Sequence, residues 1–248
     1  MKPALRGLLL MVLALLGLQL YFALRIAAMA YLDPESTAFE RSALWRISTA
    51  PEPGRWQQEW VPYDQISRSL KSAVLASEDD GFATHGGVDW DAINAAWQKN
   101  AKAQARAEAR AEARSAAAKG RSVKPPRIIG GSTITQQLAK NLFLSGERTI
   151  VRKGQELVIT LLLEACLSKE RILEIYLNHV EWGDGVFGAQ AAARRYYRKD
   201  ASRLAPNEAA RLAVMLPRPK FFEKLPASEY LANRSALIQG RMAYAQLP

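Results

Sequence analysis

The chain has 248 residues, and its shares of hydrophobic residues (49%) and charged residues (23%) exclude an intrinsically disordered protein. Its net charge of +10 indicates an acidic partner, such as a membrane surface, a phosphorylated substrate or nucleic acid. The single cysteine, Cys166, excludes an internal disulfide and a cysteine-based metal site, and the apolar sequence around it predicts a buried thiol.

The N-terminal segment predicts a membrane anchor. Residues 7–24 contain one strongly polar residue, Gln19, and a helix of this length covers about 27 Å, close to the hydrocarbon core of a bilayer. The two cations of residues 1–6 predict that this segment stays in the cytoplasm and that residues 7–30 form a single span. The alternative is a cleaved signal peptide, although the apolar stretch is longer than is usual for one. Both interpretations export the remainder of the chain.

The next part of the chain predicts a linker and then a helix that ends in acids. Residues 31–61 are rich in proline, which favours turns and extended connectors in a juxtamembrane segment. Residues 65–77 have apolar residues at three- and four-residue spacing and therefore predict an amphipathic helix. Three acids follow: Glu78, Asp79 and Asp80. A helix C-terminus carries partial negative charge and disfavours acids, so this cluster is a candidate functional site.

Residues 98–127 carry nine cations and two anions, which supply +7 of the net charge. Their Ala-rich part, residues 101–118, favours a helix but offers no large apolar group to bury. We expect a solvated insertion, helical or disordered. The alternative is a basic ridge that rests on anionic lipid headgroups. Its members recur every four residues: Lys102, Arg106, Arg110 and Arg114.

From residue 130 onward, helical periodicity dominates and predicts an all-α fold. Thr133 and Gln136 fit a capping box at the start of one helix. Residues 152–167 predict a helix that is buried on most sides, and Ser168 can cap the helix that follows it. A further helix is expected to begin at Pro206.

Two features of this region are expected to be structural. The Gly-rich residues 182–188 predict a tight loop. The two histidines, His85 and His179, lack the spacing of metal ligands, so we expect a structural role for His85 and a helix C-cap at His179.

Several motifs follow one another in a defined order: EDDGFATHGG, GGSTITQQLAKN, RTIVRKGQE, KERILEIYLN and WGDGVFGAQAAARRYY. This ordered set resembles glycosyltransferase family 51, the peptidoglycan glycosyltransferases that polymerise lipid II. The residues of the last motif and the short C-terminus resemble those of the monofunctional biosynthetic transglycosylases of Gram-negative bacteria. The resemblance implies a mainly α, lysozyme-like catalytic domain over residues 62–248, held in the periplasm by one span of the bacterial inner membrane.

The resemblance also implies a reaction and its partners. The 4-hydroxyl of an acceptor GlcNAc attacks C1 of a MurNAc linked to a lipid pyrophosphate, with inversion, and undecaprenyl pyrophosphate is released. The expected partners are lipid II, the growing lipid-linked glycan strand, the membrane, and cell-wall synthesis or division proteins. Nucleic acid is not expected.

The family pattern assigns catalytic roles to Glu78 and Glu156, and Glu156 is a candidate ligand of a divalent cation, Mg²⁺ or Mn²⁺. It assigns substrate binding to twelve further positions. They are Asp79, Phe82, His85, Ser132, Thr133, Gln136, Gln137, Lys140, Asn141, Arg148, Arg152 and Lys153.

These residue types suit glycosyl transfer. A carboxylate can take a proton from a sugar hydroxyl near neutral pH only when its pKa is raised from about 4.3. We expect the neighbouring acids and the helix C-terminus to raise the pKa of Glu78. Fixed cations suit the leaving pyrophosphate. Arg152 and Glu156 are also four residues apart, which permits an ordinary helix salt bridge.

Two other functions remain open at this point. One is a lysozyme-like hydrolase or lytic transglycosylase, which does not explain the cations because cleaving a sugar–sugar bond creates no pyrophosphate. The other is a non-catalytic, membrane-anchored cell-wall interaction protein, which does not explain why the acids and cations of every motif are present.

Overall fold

The computed structural model of the chain describes residues 3–52, 54–116, 131–147 and 149–248, with the backbone alone for 110–116. The chain divides into two compact units. The larger unit joins Met1–Gly87 to Ile134–Pro248, and the smaller one is Val88–Thr133.

Helices dominate the described residues and confirm the expected mainly α fold. In chain order they are α1 (Pro3–Ala28), α2 (Ala38–Ser48), α3 (Arg68–Glu78), α4 (Trp90–Ala116), α5 (Ile134–Phe143), α6 (Ile150–Cys166), α7 (Lys169–His179), α8 (Ala189–Tyr197), α9 (Pro206–Met215), α10 (Pro219–Glu223) and α11 (Glu229–Arg241). Short 3₁₀ helices lie at Tyr63–Gln65, Ala201–Arg203 and Met242–Tyr244.

Several helix boundaries follow directly from the sequence. The Ser67 hydroxyl accepts from the backbone N–H of Leu70 and begins α3, and the Ser168 hydroxyl caps α7 in the same way. Pro206 is the first residue of α9, where its missing N–H costs no hydrogen bond. The predicted cap at Ser168 and the predicted start at Pro206 are therefore confirmed.

The core of the larger unit forms around α3 and α5. Helix α3 packs against α9 and α11 and buries Leu70 and Val74, while α5 packs against α6 and α7 and buries Ile134 and Leu138. The last residue of α3 and the exposed side of α5 therefore meet at the surface of one packed body. This arrangement positions the candidate site.

Helix α1 is, within the described residues, the one helix long and apolar enough to cross a membrane. Most of its side chains are exposed, as expected of a lipid-facing span. Its C-terminal third differs, because Phe22 and Ile26, like Met29 just after the helix, are buried in the core of the larger unit and α1 packs against α6. The end of this candidate span therefore packs into the core of the larger unit.

The segment expected as a linker contains a helix. Helix α2 begins with a complete capping box between Thr37 and Glu40, and it packs against α5. Glu40 also accepts a hydrogen bond from His179 Nδ1 at 2.8 Å, and both side chains are buried. The expectation that His179 is a C-cap is wrong, since His179 is the last residue of α7 and Val180 is the cap.

Helix α6 is not buried on most sides as expected. Its core face consists of Glu156, Ile159, Thr160 and Leu163. The rest of the helix presents a largely apolar face to the surroundings. Its exposed members are Ile150, Val151, Leu157, Val158 and Leu161. Cys166, expected to be buried, is exposed at the end of the same helix.

The Gly-rich segment, predicted to be a tight loop, forms a β-hairpin with a tight turn. Strand β2 (Glu181–Gly183) pairs antiparallel with β3 (Val186–Phe187), and β1 (Gln57–Gln58) pairs parallel with β3. Gly185 turns the hairpin with a φ of +71°, and a Cβ there would lie 1.9 Å from the Arg55 carbonyl oxygen. No alternation marks such short strands in the sequence, and none was predicted.

In the smaller unit, α4 extends through the first part of the Ala-rich segment. Lys102 and Arg106 are exposed on this helix. The side chains of Arg110 and Arg114, like residues 117–127, lie outside the description. The solvated insertion and the basic ridge therefore both stay predictions.

Candidate active site

Glu78 is the last residue of α3 and is only partly exposed. Its Oε2 accepts a hydrogen bond from Gln137 Nε2 at 3.1 Å, and its Oε1 accepts one from the Ser77 hydroxyl at 3.4 Å. Gln137 is oriented in turn by the fully buried Tyr176, whose hydroxyl donates to Gln137 Oε1 at 3.0 Å. A carboxylate in this position is held in place and keeps an open side.

Burial raises the pKa of Glu78 above its ordinary value, because a buried carboxylate loses hydration. The hydrogen bonds from Gln137 and Ser77 act in the opposite direction, and Asp79 adds a smaller increase. The predicted direction agrees with the structure, but burial is the largest cause, and the predicted effect of neighbouring acids is the smaller contribution of Asp79. Asp80 is exposed and forms an ion pair with Arg241 at 3.0 Å, so crowding by acids is a minor effect.

Asp79 joins α3 to α5. Its Oδ2 accepts the backbone N–H of Ile134, the first residue of α5, at 2.8 Å, and its Oδ1 lies 2.8 Å from His85 Nε2. His85 Nδ1 accepts the backbone N–H of Gly87 at 3.1 Å. A ring nitrogen that accepts carries no proton, so the contact to Asp79 is a donation from His85 Nε2–H. Asp79 and His85 thus position the start of α5.

Phe82 belongs to the same supporting layer. It is fully buried, and the Lys169 ammonium lies 4.6 Å from its ring centroid. Lys169 also donates to the His85 carbonyl at 2.6 Å and to Glu164 at 2.8 Å. Gly87 packs against this layer and requires glycine for two reasons. Its φ is +84°, and a Cβ at this position would lie 2.8 Å from the Glu164 side chain.

Helix α5 carries a cation one turn beyond Gln137. Lys140 is half-buried beside Phe39, with its ammonium 5.3 Å from the ring centroid. Burial lowers the pKa of Lys140, Glu156 partly offsets that effect, and Arg152 and Lys153 add to it. This mutual influence indicates one cation cluster, which we define as Lys140, Arg152 and Lys153. Asn141 is half-buried next to Lys140 in sequence.

Glu156 is the buried acid at the centre of the cation cluster. Its Oε2 accepts from Arg152 Nη1 at 2.7 Å, and its Oε1 accepts from Lys153. Glu156 is 3% exposed, whereas the Lys153 side chain is about half exposed. Arg152 Nε is buried and has no hydrogen-bond partner among the described residues. Glu156 therefore holds Arg152 and Lys153, and the half-exposed Lys153 ammonium remains accessible to an anion.

The surroundings of the Glu156 carboxylate do not fit a divalent cation. Both carboxylate oxygens already accept from cationic side chains, and a hard metal ion needs several oxygen ligands. No group of three or more His, Cys, Asp or Glu that could hold a metal occurs in the described part of the chain. The divalent cation stays a prediction, and no step below depends on it.

The remaining predicted residues are placed as follows. Gln136 is 5% exposed on α5, in the same unit as Glu78 and Glu156. Ser132 and Thr133 belong to the smaller unit. Arg148 lies outside the described residues. Within the larger unit, the structure thus gathers the predicted positions around α3, the following turn, α5 and the start of α6.

Sequence reasoning missed four residues that shape the site. Arg241 pairs with Asp80, and Arg234, seven residues earlier on α11, opposes the rise in the pKa of Glu78. Tyr176 orients Gln137, and Lys169 supports Phe82. The two arginines are more than 150 residues from the acids, so no local spacing could reveal the contact.

Comparison with known proteins gives a consistent result. Residues 47–110 and 107–243 match the family described as "Transglycosylase". A protein of Burkholderia ambifaria (strain MC40-6) named biosynthetic peptidoglycan transglycosylase is 53% identical over 235 residues, which cover 95% of this chain and 87% of that protein. A protein of the same name from Burkholderia pseudomallei (strain K96243) is 54% identical over 95% of this chain and 84% of its own length.

Proposed function

The chain belongs to the transglycosylase family, and on that premise we propose that it elongates peptidoglycan glycan strands from lipid II. The observation that carries this proposal is the arrangement along α5. Gln137 holds the carboxylate of Glu78, and Lys140, one turn further, belongs to the cation cluster. One short helix therefore connects a candidate base with a candidate pyrophosphate site.

In the proposed reaction, Glu78 accepts the proton of the acceptor GlcNAc 4-hydroxyl as that oxygen attacks C1 of the donor MurNAc. The new C1–O bond forms on the face opposite the leaving group, and the bond from C1 to the lipid pyrophosphate breaks. The pyrophosphate departs with the bonding electrons. A raised pKa makes Glu78 a better proton acceptor, and its open side gives the hydroxyl access.

The cation cluster neutralises the charge that develops on the leaving pyrophosphate. Lys140, Arg152 and Lys153 supply fixed positive charge, which stabilises a developing anion without reorganisation during the reaction. Glu156 orients Arg152 and Lys153 and limits their mutual repulsion. A hydrolase that cleaves sugar–sugar bonds has no use for such a cluster, which favours polymerisation over the lysozyme-like alternative.

The proposed location is the bacterial inner membrane, with the catalytic domain in the periplasm. Helix α1 is compatible with a single-pass anchor. Lys2 and Arg6 precede its apolar stretch, residues 7–24, and the positive-inside rule then keeps the N-terminus in the cytoplasm. Cell-wall synthesis or division proteins are proposed partners on the periplasmic side.

The test is polymerisation of lipid II by the purified full-length chain, with Glu78→Gln as the key variant. We expect long glycan strands from the parent and a loss of roughly 10²- to 10⁴-fold in turnover from the variant, because the amide cannot accept the proton. Small muropeptides released from preformed strands would support the hydrolase instead. Near-parental turnover by Glu78→Gln would place the base elsewhere.

A further inference from the structure

Gln19 is the one strongly polar residue in the apolar stretch of the anchor, and the structure pairs it with the catalytic domain. Gln19 Nε2 donates to Gln155 Oε1 at 3.0 Å, and Gln155 Nε2 donates back to Gln19 Oε1 at 3.0 Å. Each amide therefore satisfies one donor and one acceptor of the other. Gln155 lies on α6, directly before Glu156 and two residues after Lys153.

The surroundings of this amide pair are apolar. The residues of α1 on either side of Gln19 are exposed and apolar, and α6 presents the exposed apolar face described above. An unpaired amide in such surroundings is unfavourable because no water replaces its hydrogen bonds. Gln19 lies about 14 Å along the helix axis from the end of α1 at Ala28, which is within the span. The occupant that fits both apolar faces is the lipid bilayer.

The contacts of α1 with the larger unit continue beyond the amide pair. Phe22 packs edge-on against Phe143 of α5, with ring centroids 5.2 Å apart. Arg171 of α7 donates to the carbonyl of Met29 at 2.7 Å and to the carbonyl of Leu32 at 3.0 Å. These contacts extend from within the span to the residues that follow it. Removal of a signal peptide by cleavage after Ala30 would abolish these contacts, except the one between Arg171 and the Leu32 carbonyl.

We propose that α1 is a permanent part of the catalytic fold and that the Gln19–Gln155 amide pair holds it against α6 inside the bilayer. The pair positions the turn of α6 that carries Arg152, Lys153 and Glu156 at the membrane level where a lipid-linked pyrophosphate arrives. Gln19 and Gln155 are positioning residues, since they act through the cation cluster. The positioning role rests on the proposed function, whereas the retention and pairing of α1 do not.

The test uses the full-length chain in lipid nanodiscs and four variants. They are Gln19→Leu, Gln155→Leu, the double variant, and Leu13→Ala as a control on the exposed side of α1. Amide hydrogen exchange of residues 150–156 reports the pairing without any substrate. We expect faster exchange in both single variants and parental exchange in the control, because each single variant leaves one amide unpaired. Parental exchange in both single variants overturns the pairing.

Kinetics with lipid II test the positioning role. We expect the KM of each single variant to rise about threefold, the size of a typical interhelical hydrogen bond in a membrane, with a smaller fall in kcat. The double variant should be no worse than the poorer single variant, since neither amide then remains unpaired. Partial unfolding would lower kcat alone, and that result, or losses that simply multiply, overturns the positioning role.

The intact mass of the protein extracted from membranes tests retention. A mass that includes the anchor is expected, and cleavage after Ala30 overturns the proposal. Lack of lipid II turnover by the parent itself would overturn the proposed function, while hydrogen exchange and mass would still decide the pairing and the retention of α1.

Discussion

At the scale of single residues, the basicity of Glu78 depends on a balance between burial and two hydrogen bonds. Burial raises the pKa, while Gln137 and Ser77 stabilise the carboxylate and lower the pKa. The result is a carboxylate that is more basic than a free one and still has a fixed orientation. A change in either contribution should therefore be visible in the pH dependence of the reaction.

Gln137→Leu should move the acidic limb of the kcat/KM profile to higher pH. The substitution removes the donor to Glu78 Oε2, so the pKa of Glu78 rises further and more alkaline conditions are needed to deprotonate it. Activity lost near neutrality should partly return at higher pH. Ser77→Ala is the matched variant, and its shift should be smaller because that contact is longer, at 3.4 Å. A profile that only falls in height would contradict this account.

The same burial predicts that Glu78→Gln stabilises the folded protein at neutral pH. The pKa of Glu78 is higher in the folded state than its ordinary value of 4.5, so the folded state binds more protons in the interval between the two values. Stability is therefore lost as pH rises through that interval. Gln carries no charge and avoids the loss. Tm should be higher than parental at pH 7.5 and equal to parental at pH 4, and equal values at both would argue against burial as the cause.

At the scale of helices, an apolar face with the same helical periodicity can contact either protein or lipid. Apolar residues at helical spacing correctly predicted α3 and α7, whose apolar faces meet protein. The nearly continuous apolar pattern of α6 predicts burial on most sides. Its outer face is instead exposed. A sequence pattern reports that a face avoids water, and it cannot report whether protein or lipid covers that face.

The sequence predicted the site residues that belong to local motifs. It did not predict the contacts from residues that are distant in the sequence. The order of the motifs predicted that Glu78, Lys140 and Glu156 belong to one site, and the structure places them around α5. The burial of Glu78 depends on packing against other helices, so the sequence predicted the smaller contribution of the neighbouring acid to its raised pKa and not the larger one of burial. Helix α2 was missed because its flanking prolines resemble those of a linker.

At the start of α6, the cation cluster depends on the shape of Arg152 as well as on its charge. Arg152→Lys should lower kcat/KM for lipid II by roughly 10- to 100-fold, because an ammonium cannot contact Glu156 and a phosphate with a planar set of donors. The exposed Arg203→Lys, in a distant 3₁₀ helix, is the matched control. Full activity of Arg152→Lys would show that a point charge at this position is sufficient.

At the scale of the whole molecule, α1 and the helices of the candidate site belong to one compact unit. Removing residues 1–30 would take Phe22, Ile26 and Met29 out of the hydrophobic core. A fragment without these residues is therefore unsuitable for measuring how the protein binds a membrane. Experiments on the positive charge of the molecule should keep the full chain in a bilayer.

The basic ridge, residues 102–114, contributes to a net charge of +10 for the whole protein. Lys102 and Arg106 are exposed on α4, and like charges four residues apart repel on a free helix. An anionic surface relieves this repulsion and contributes about 1 kcal/mol for each cation near it. The polymerisation rate of the parent should therefore be higher in nanodiscs that contain phosphatidylglycerol than in neutral ones, and most clearly at low salt, where screening is weakest.

Changing the four cations of the ridge to Gln should abolish this dependence on anionic lipid while leaving the rate in neutral nanodiscs unchanged. The matched control changes Glu108 and Glu112 to Gln, which removes charge of the opposite sign from the same segment and should preserve or increase the dependence. The comparison at low and high salt separates this effect from a change in folding, since only an electrostatic contact is screened. If the four-Gln variant keeps the parental response to phosphatidylglycerol, the segment is a solvated insertion, and the attraction to anionic lipid must come from cations elsewhere on the molecule.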